Sequence, residues 1–218
     1  MPIGNLAYPL SSFIVREWES LFSIGSKVVP LLASHYQSAL FELLDFDSTL
    51  ELCDAQGHLA VIHRLQTMRF LQNHVVAFQD FVWGGDGEQM VEYKVSPGFV
   101  AKIYREADRW IVLIALDEVK HKGDVADLTI ERKIRNGFTK ATEWRQTEIW
   151  KPTKRVRLAV IFPNNRLCKR AVLLKRRADQ SIPLGNEHFR ALPDGRLMLA
   201  WEQYRPQRGE IYTLKWEW

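Results

Sequence analysis

Two stretches of the chain pair a carboxylate with a Glu-x-Lys triplet, the arrangement with which metal-dependent nucleases hold a divalent ion and orient the attacking water. Asp80 with Glu92 and Lys94 flanks the run Gly84-Gly85-Asp86-Gly87, and Asp108 with Glu118 and Lys120 flanks an apolar run. Glu-x-Lys also arises by chance in a chain with 26% charged residues, and a solvated strand face produces it routinely. Nucleophile chemistry has less support. Cys53 and Cys168 lie in no recognisable elbow and there is no Gly-x-Ser-x-Gly. The six histidines show neither His-x-His nor His-x-x-x-His, so no metal set is spelled out. The glycine-rich run lacks the Lys-Ser/Thr of a phosphate loop and precedes a strand-like segment, which makes it a tight turn. No cofactor and no small-molecule site is expected from these residues.

Charge is more informative than catalysis. The formal net charge is +4, but it is unevenly placed. From Val119 to Arg177 seventeen Lys and Arg face five Asp and Glu, a local charge of +12, while the remainder has thirteen against twenty-one, or −8. Such a positive field concentrates acidic partners. On extended strands Lys133 and Arg135 share a face, Arg155 and Arg157 share another, and Lys169, Lys175 and Arg177 a third. Neighbouring strands would merge these into one positive sheet surface, with Trp144 and Trp150 as aromatic platforms beside it. A solvated outer face whose long basic stems cover apolar sheet surface is the alternative.

Eight tryptophans occur in 218 residues. Trp110, Trp201 and Trp216 fall on inward-facing positions of good strands and are expected in the core. Exposed Trp together with Arg is enriched at interfaces, which favours a binding module over an enzyme. The expectation is a non-enzymatic adaptor or accessory module that binds an acidic partner, foremost a protein, through the basic sheet face. The alternatives are sequence-tolerant nucleic-acid binding by the same face and, third, a metal-dependent nuclease using Asp80, Glu92 and Lys94.

The elements that must position these residues follow from periodicity. Phe13/Ile14, Trp18 and Leu21/Phe22 recur at helical spacing after Ser11-Ser12, and Pro30 opens a second run in which Leu32, Tyr36, Leu40 and Leu43/Leu44 share a stripe. Residues 1–44 therefore read as a short helical hairpin. From Asp45 the period becomes two. Ser48–Cys53 and Leu59–His63 flank the turn Asp54-Ala55-Gln56-Gly57, and Val75–Trp83 and Met90–Val95 flank the glycine run as a second hairpin. Leu65–Leu71 fits either helix or strand. Trp110–Leu116 is apolar on both faces, as in a central covered strand. Tyr212, Leu214, Trp216 and Trp218 alternate along the last strand. Turns at Asn136-Gly137, Lys151-Pro152-Thr153, Pro163-Asn164-Asn165, Pro193-Asp194-Gly195 and Pro206–Gly209 space the strands as in a sandwich.

The expected fold is thus mainly β: an antiparallel β-sandwich over residues 45–218, either one large unit or two small ones divided near 119–127, behind a helical N-terminal segment. Met1–Val15 holds no Lys or Arg before its apolar residues, and Val28–Leu44 is interrupted by Ser34, His35, Gln37, Ser38 and Glu42. Neither a secretory signal nor a spanning helix is expected. Two distant cysteines without metal spacing point to a reducing compartment, so a cytoplasmic location is expected.

Overall fold

The computed structural model describes residues 40–83, 89–106 and 109–218. In chain order the strands are β1 (Phe41–Leu52), β2 (Leu59–Phe70), β3 (Val75–Trp83), β4 (Gln89–Ser96), β5 (Phe99–Glu106), β6 (Arg109–Lys120) and β7 (Val125–Arg135). They continue as β8 (Thr142–Glu148), β9 (Arg155–Phe162), β10 (Arg170–Lys175), β11 (Gln180–Pro183), β12 (Phe189–Ala191), β13 (Leu197–Tyr204) and β14 (Ile211–Glu217). A seven-stranded sheet in the order β12-β13-β9-β1-β2-β7-β4 is joined by a four-stranded sheet, β11-β10-β14-β8, and a three-stranded one, β3-β6-β5.

Two apolar clusters hold the sheets together. At one end Leu50, Ile62, Leu158, Val160 and Phe162 of the seven-stranded sheet meet Leu173, Tyr212, Leu214 and Trp216 of the four-stranded sheet. At the other, Phe41, Met68, Phe70, Leu128 and Ile130 meet Phe78, Val112, Ile114 and Leu116 of the three-stranded sheet. Aromatic edges lock each end: Phe162 lies 6.0 Å from Trp216, and Phe41 lies 5.2 Å from Phe78. The seven-stranded sheet is therefore a common floor under two smaller sheets. This mainly β, sandwich-like architecture matches the periodicity. The last strand buries Tyr212, Leu214 and Trp216, with Trp218 beyond it. In β6 both faces are covered, since Ile111, Val112, Ile114, Ala115 and Leu116 are all buried.

The first hairpin forms as its turn residues require. Both carboxylate oxygens of Asp54 are used, Oδ1 accepting the N–H groups of Gln56 and His58 and Oδ2 that of Leu59. Gly57 turns at φ +71°, where a Cβ would fall 1.8 Å from the Phe138 carbonyl oxygen. Only glycine fits that approach.

Several expectations change. Leu43 and Leu44 belong to β1 rather than to a helical stripe. A bulge between Leu43 and Asp45 in the pairing with β2 inserts Leu44 as an extra residue, so inward positions run Phe41, Leu43, Phe46. A bulge converts a period of two into a local spacing of three that imitates a helix. The rest of the proposed helical hairpin, residues 1–39, lies outside the described residues, as do Gly84-Gly85-Asp86-Gly87 and Asp108. Leu65–Phe70 is strand. β3 and β4 do not form a hairpin: β3 pairs with β6 and β4 with β7, in different sheets. Nor is the seven-stranded sheet purely antiparallel, because β1 and β9 pair in parallel from Phe46–Val156 to Glu51–Ile161. Long-range pairing across more than a hundred residues is invisible to local periodicity. β6 and β7 are joined by residues 121–124, and β7 pairs with both β2 and β4.

Candidate functional site

The basic residues picked out by charge fall into two groups. Lys133, Arg155 and Arg157 lie on the solvent face of the seven-stranded sheet, where each has a carboxylate. Arg157 donates from Nη1 to both oxygens of Asp47 at 3.0 Å. Arg155 holds Asp45 at 2.8 Å and Glu202 at 2.8 Å. Lys133 meets Glu92 at 2.7 Å. The two hydrogen bonds from Lys133 and Lys94 draw the Glu92 carboxyl down to about 2. Arg135 ends β7, in register with Leu59 and Gln89, and is exposed. This face is a charge-balanced ladder.

The second group belongs to the four-stranded sheet and its loops. Trp144 on β8 is 49% exposed, and its register partner across β14 is exposed Lys215, whose own partner on β10 is Val172. Lys169 precedes β10, Lys175 ends it, and Arg177 follows, its backbone N–H donating to Glu210. Between Arg166 and Asp179 six Lys and Arg stand against one Asp. One continuous positive face through all seven residues is not formed, because β9 and β10 belong to different sheets. Trp150 is no open platform: it packs edge-on against Phe81 at 5.6 Å and beneath the Lys151 ammonium at 4.5 Å.

The nuclease residues separate. Asp80 points inward to Arg64, while Glu92 points outward to Lys94 and Lys133, and neighbouring Tyr93 faces inward on the opposite side of β4. The two carboxylates do not share a site. Of the second set, Glu118 pairs with Lys120. Among the described residues no group of three or more His, Cys, Asp or Glu is placed to hold a metal.

A feature that the charge count missed lies where the two cores meet. The inward face of β2 reads Ile62, Arg64, Gln66, Met68, that of β7 reads Ile130, Arg132, Ile134, and that of β3 reads Phe78, Asp80, Val82. Of these polar interruptions Arg64, Arg132 and Asp80 come together around a cavity of about 770 Å³, which is also lined by Ser48, Tyr93, Arg145 and Lys151. Asp80 accepts from Arg64 and from the Tyr93 hydroxyl, each at 2.6 Å. Arg145, on β8, donates to Ser48 Oγ at 2.5 Å, joining the four-stranded sheet to the floor. Lys151 is 3% exposed and its ammonium sits 3.2 Å from the centre of the Phe41 ring. Burial pushes this amine well below the usual lysine value, opposed by the charge of Asp80. Arg64 is driven the other way: burial alone would lower it, but Asp80 and Tyr93 outweigh the desolvation. The sequence signal was present as a charged residue at an inward position of an otherwise alternating strand.

No family model matches the chain, and no curated protein does. Among solved structures it is similar to the M1 zinc metallopeptidase from Deinococcus radiodurans, at 11% identity and a TM-score of 0.48. The match covers 80% of this chain and 42% of that one. A likeness so distant transfers neither activity nor residue roles. No helix among the described residues is long and apolar enough to cross a membrane.

Proposed function

We propose that the chain is a non-enzymatic interaction module that docks an acidic protein partner on the four-stranded sheet. The observation that carries this reading is Trp144, half exposed on a strand and flanked in register by Lys215, with Lys169 and Arg177 in the loops on either side of β10; Lys175, in register with buried Tyr212, turns to the other face. A rigid aromatic ring supplies binding energy at small entropic cost, and surrounding cations steer and select an acidic surface. The solvent face of the seven-stranded sheet is the weaker docking surface, since its arginines would have to exchange carboxylates already held in two-point contacts.

Affinity capture with the wild-type chain, with Trp144→Ala and with Lys215→Glu tests this at low and high ionic strength. The partner is expected to be lost from both variants and released from the wild type by salt. A partner retained by both variants in high salt overturns the reading. Gel-shift measurements with DNA and RNA at low salt decide the macromolecule: retardation abolished by Trp144→Ala would replace protein by nucleic acid as the ligand.

A further inference from the structure

The cavity between the two cores is built in a way that a purely structural junction does not need. Six Lys and Arg side chains stand around it against three carboxylates, those of Asp80, Glu143 and Glu148. Burying a cation strips it of hydration, and apolar side chains of similar volume fill such a place as well or better. Two of the cations are set into the floor: Arg64 opposite Ser48, and Arg132 opposite Tyr93, in the registers of β1–β2 and β4–β7. Arg64 spends one terminal nitrogen on Asp80, while its Nε is buried with no hydrogen-bond partner. Arg132, Arg145 and Lys151 are engaged in contacts of their own, so an entering group exchanges with these contacts. Phe46, Phe81, Tyr93 and Trp150 give the wall an aromatic part, beside aliphatic side chains such as Ile62 and Ile130.

We propose that this cavity is a binding site for a small organic anion with a flat apolar body and a carboxylate or phosphate head. Its volume lies within the range of pockets that enclose a molecule of that size. Guanidinium groups present paired donors that match either head, and the aromatic walls match the body. Trp144 also stands at the edge of this lining, whereas Lys215 of the docking surface does not line it, so Lys215 is the residue that separates the two readings.

Calorimetric titration with 2-naphthyl phosphate, 2-naphthoate and neutral 2-naphthol tests the proposal. At least one anion is expected to saturate a single site, with 2-naphthol at least about tenfold weaker. Tighter binding of the phosphate marks a phosphorylated ligand, and tighter binding of the carboxylate an organic acid. Arg132→Gln is expected to weaken the anion at least about tenfold, whereas Lys215→Glu, which disables the protein-docking surface, leaves it unchanged. Thermal unfolding of each variant monitors the fold, and Lys151→Met, which removes the charge while keeping an unbranched apolar stem, carries the same test if Arg132→Gln does not fold. Absence of saturable binding by either anion, equal binding of 2-naphthol, or anion affinity unaltered in every folded cavity variant overturns the proposal.

Discussion

The seven-stranded sheet carries arginines on both faces, and their surroundings differ in kind. On the solvent side Arg155 and Arg157 lie against Asp45, Asp47 and Glu202, in an ordered ladder that water can still reach. On the inner side Arg64 is held by Asp80 and Tyr93 where both ion-pair side chains are only 15% exposed. Coulomb attraction is screened in the first setting and strong in the second, but the inner charges also pay for their lost hydration. Similar ion pairs on the two faces therefore have different consequences when one partner is removed. The outer pairs can dissolve into water, and the inner ones leave a charge stranded between two apolar clusters.

Breaking the inner pair should have the largest effect. Asp80→Ala leaves the Arg64 guanidinium without its carboxylate and is expected to cost about 3–5 kcal/mol, read as a lower denaturant midpoint. Loss of less than about 1 kcal/mol would show that water screens this junction as it screens the surface.

Lys151→Met should move stability in the opposite direction, by about 1 kcal/mol or more, because the substitution removes a desolvated cation and retains its packing volume. The linkage has a definite sign. Burial lowers the folded-state pKa below the 10.5 of the unfolded chain, so the folded state holds fewer protons and gains stability as pH rises through that interval. Denaturant midpoints of wild type and Lys151→Met should therefore converge as pH approaches 10.5. A difference independent of pH would show that folding does not lower the pKa of this amine.

On the outer face Asp47→Ala frees Arg157, and the expected cost is about 1 kcal/mol or less. A cost equal to that of Asp80→Ala would erase the distinction between the faces. The smallest effect concerns Glu92, whose depressed pKa means that its contribution is present above 4.5 and fades as pH falls towards about 2. NMR titration of its side-chain carboxyl should place the midpoint below the ordinary 4.5, and Lys133→Ala should raise it. An unmoved midpoint would show that the Lys133 contact is absent in solution.

Much of the strand content was legible from residues alone, because alternation along Val156–Phe162 and Tyr212–Trp218 reports directly which side is buried. Turn chemistry was equally local: Asp54 and Gly57 make the first hairpin from within a few residues. Leu43 and Leu44 misled because a bulge mimics helical spacing. The second hairpin misled because adjacency in sequence suggests pairing, while β3 and β4 have better partners in β6 and β7. Of the surface residues, alternation told that Trp144 turns outward, but not that Lys175, in register with buried Tyr212, turns to the other face of the same sheet. The cavity was not. Arg64, Asp80 and Arg132 were each visible as a break in an apolar face, yet nothing local says that three such breaks converge.

The sequence by itself determined which residues turn inward, where the chain reverses and where positive charge accumulates, since each follows from side-chain period, turn geometry or composition. Only the tertiary structure decided which cations are neutralised and which gather, because counterions such as Asp45 and Asp47 come from more than a hundred residues away, across a parallel pairing that no local pattern encodes. It also decided that two cores form instead of one, and that the polar breaks in β2, β3 and β7 meet at their junction. Burial fixes the energetic meaning of a charge, and burial is a property of the assembled sheets.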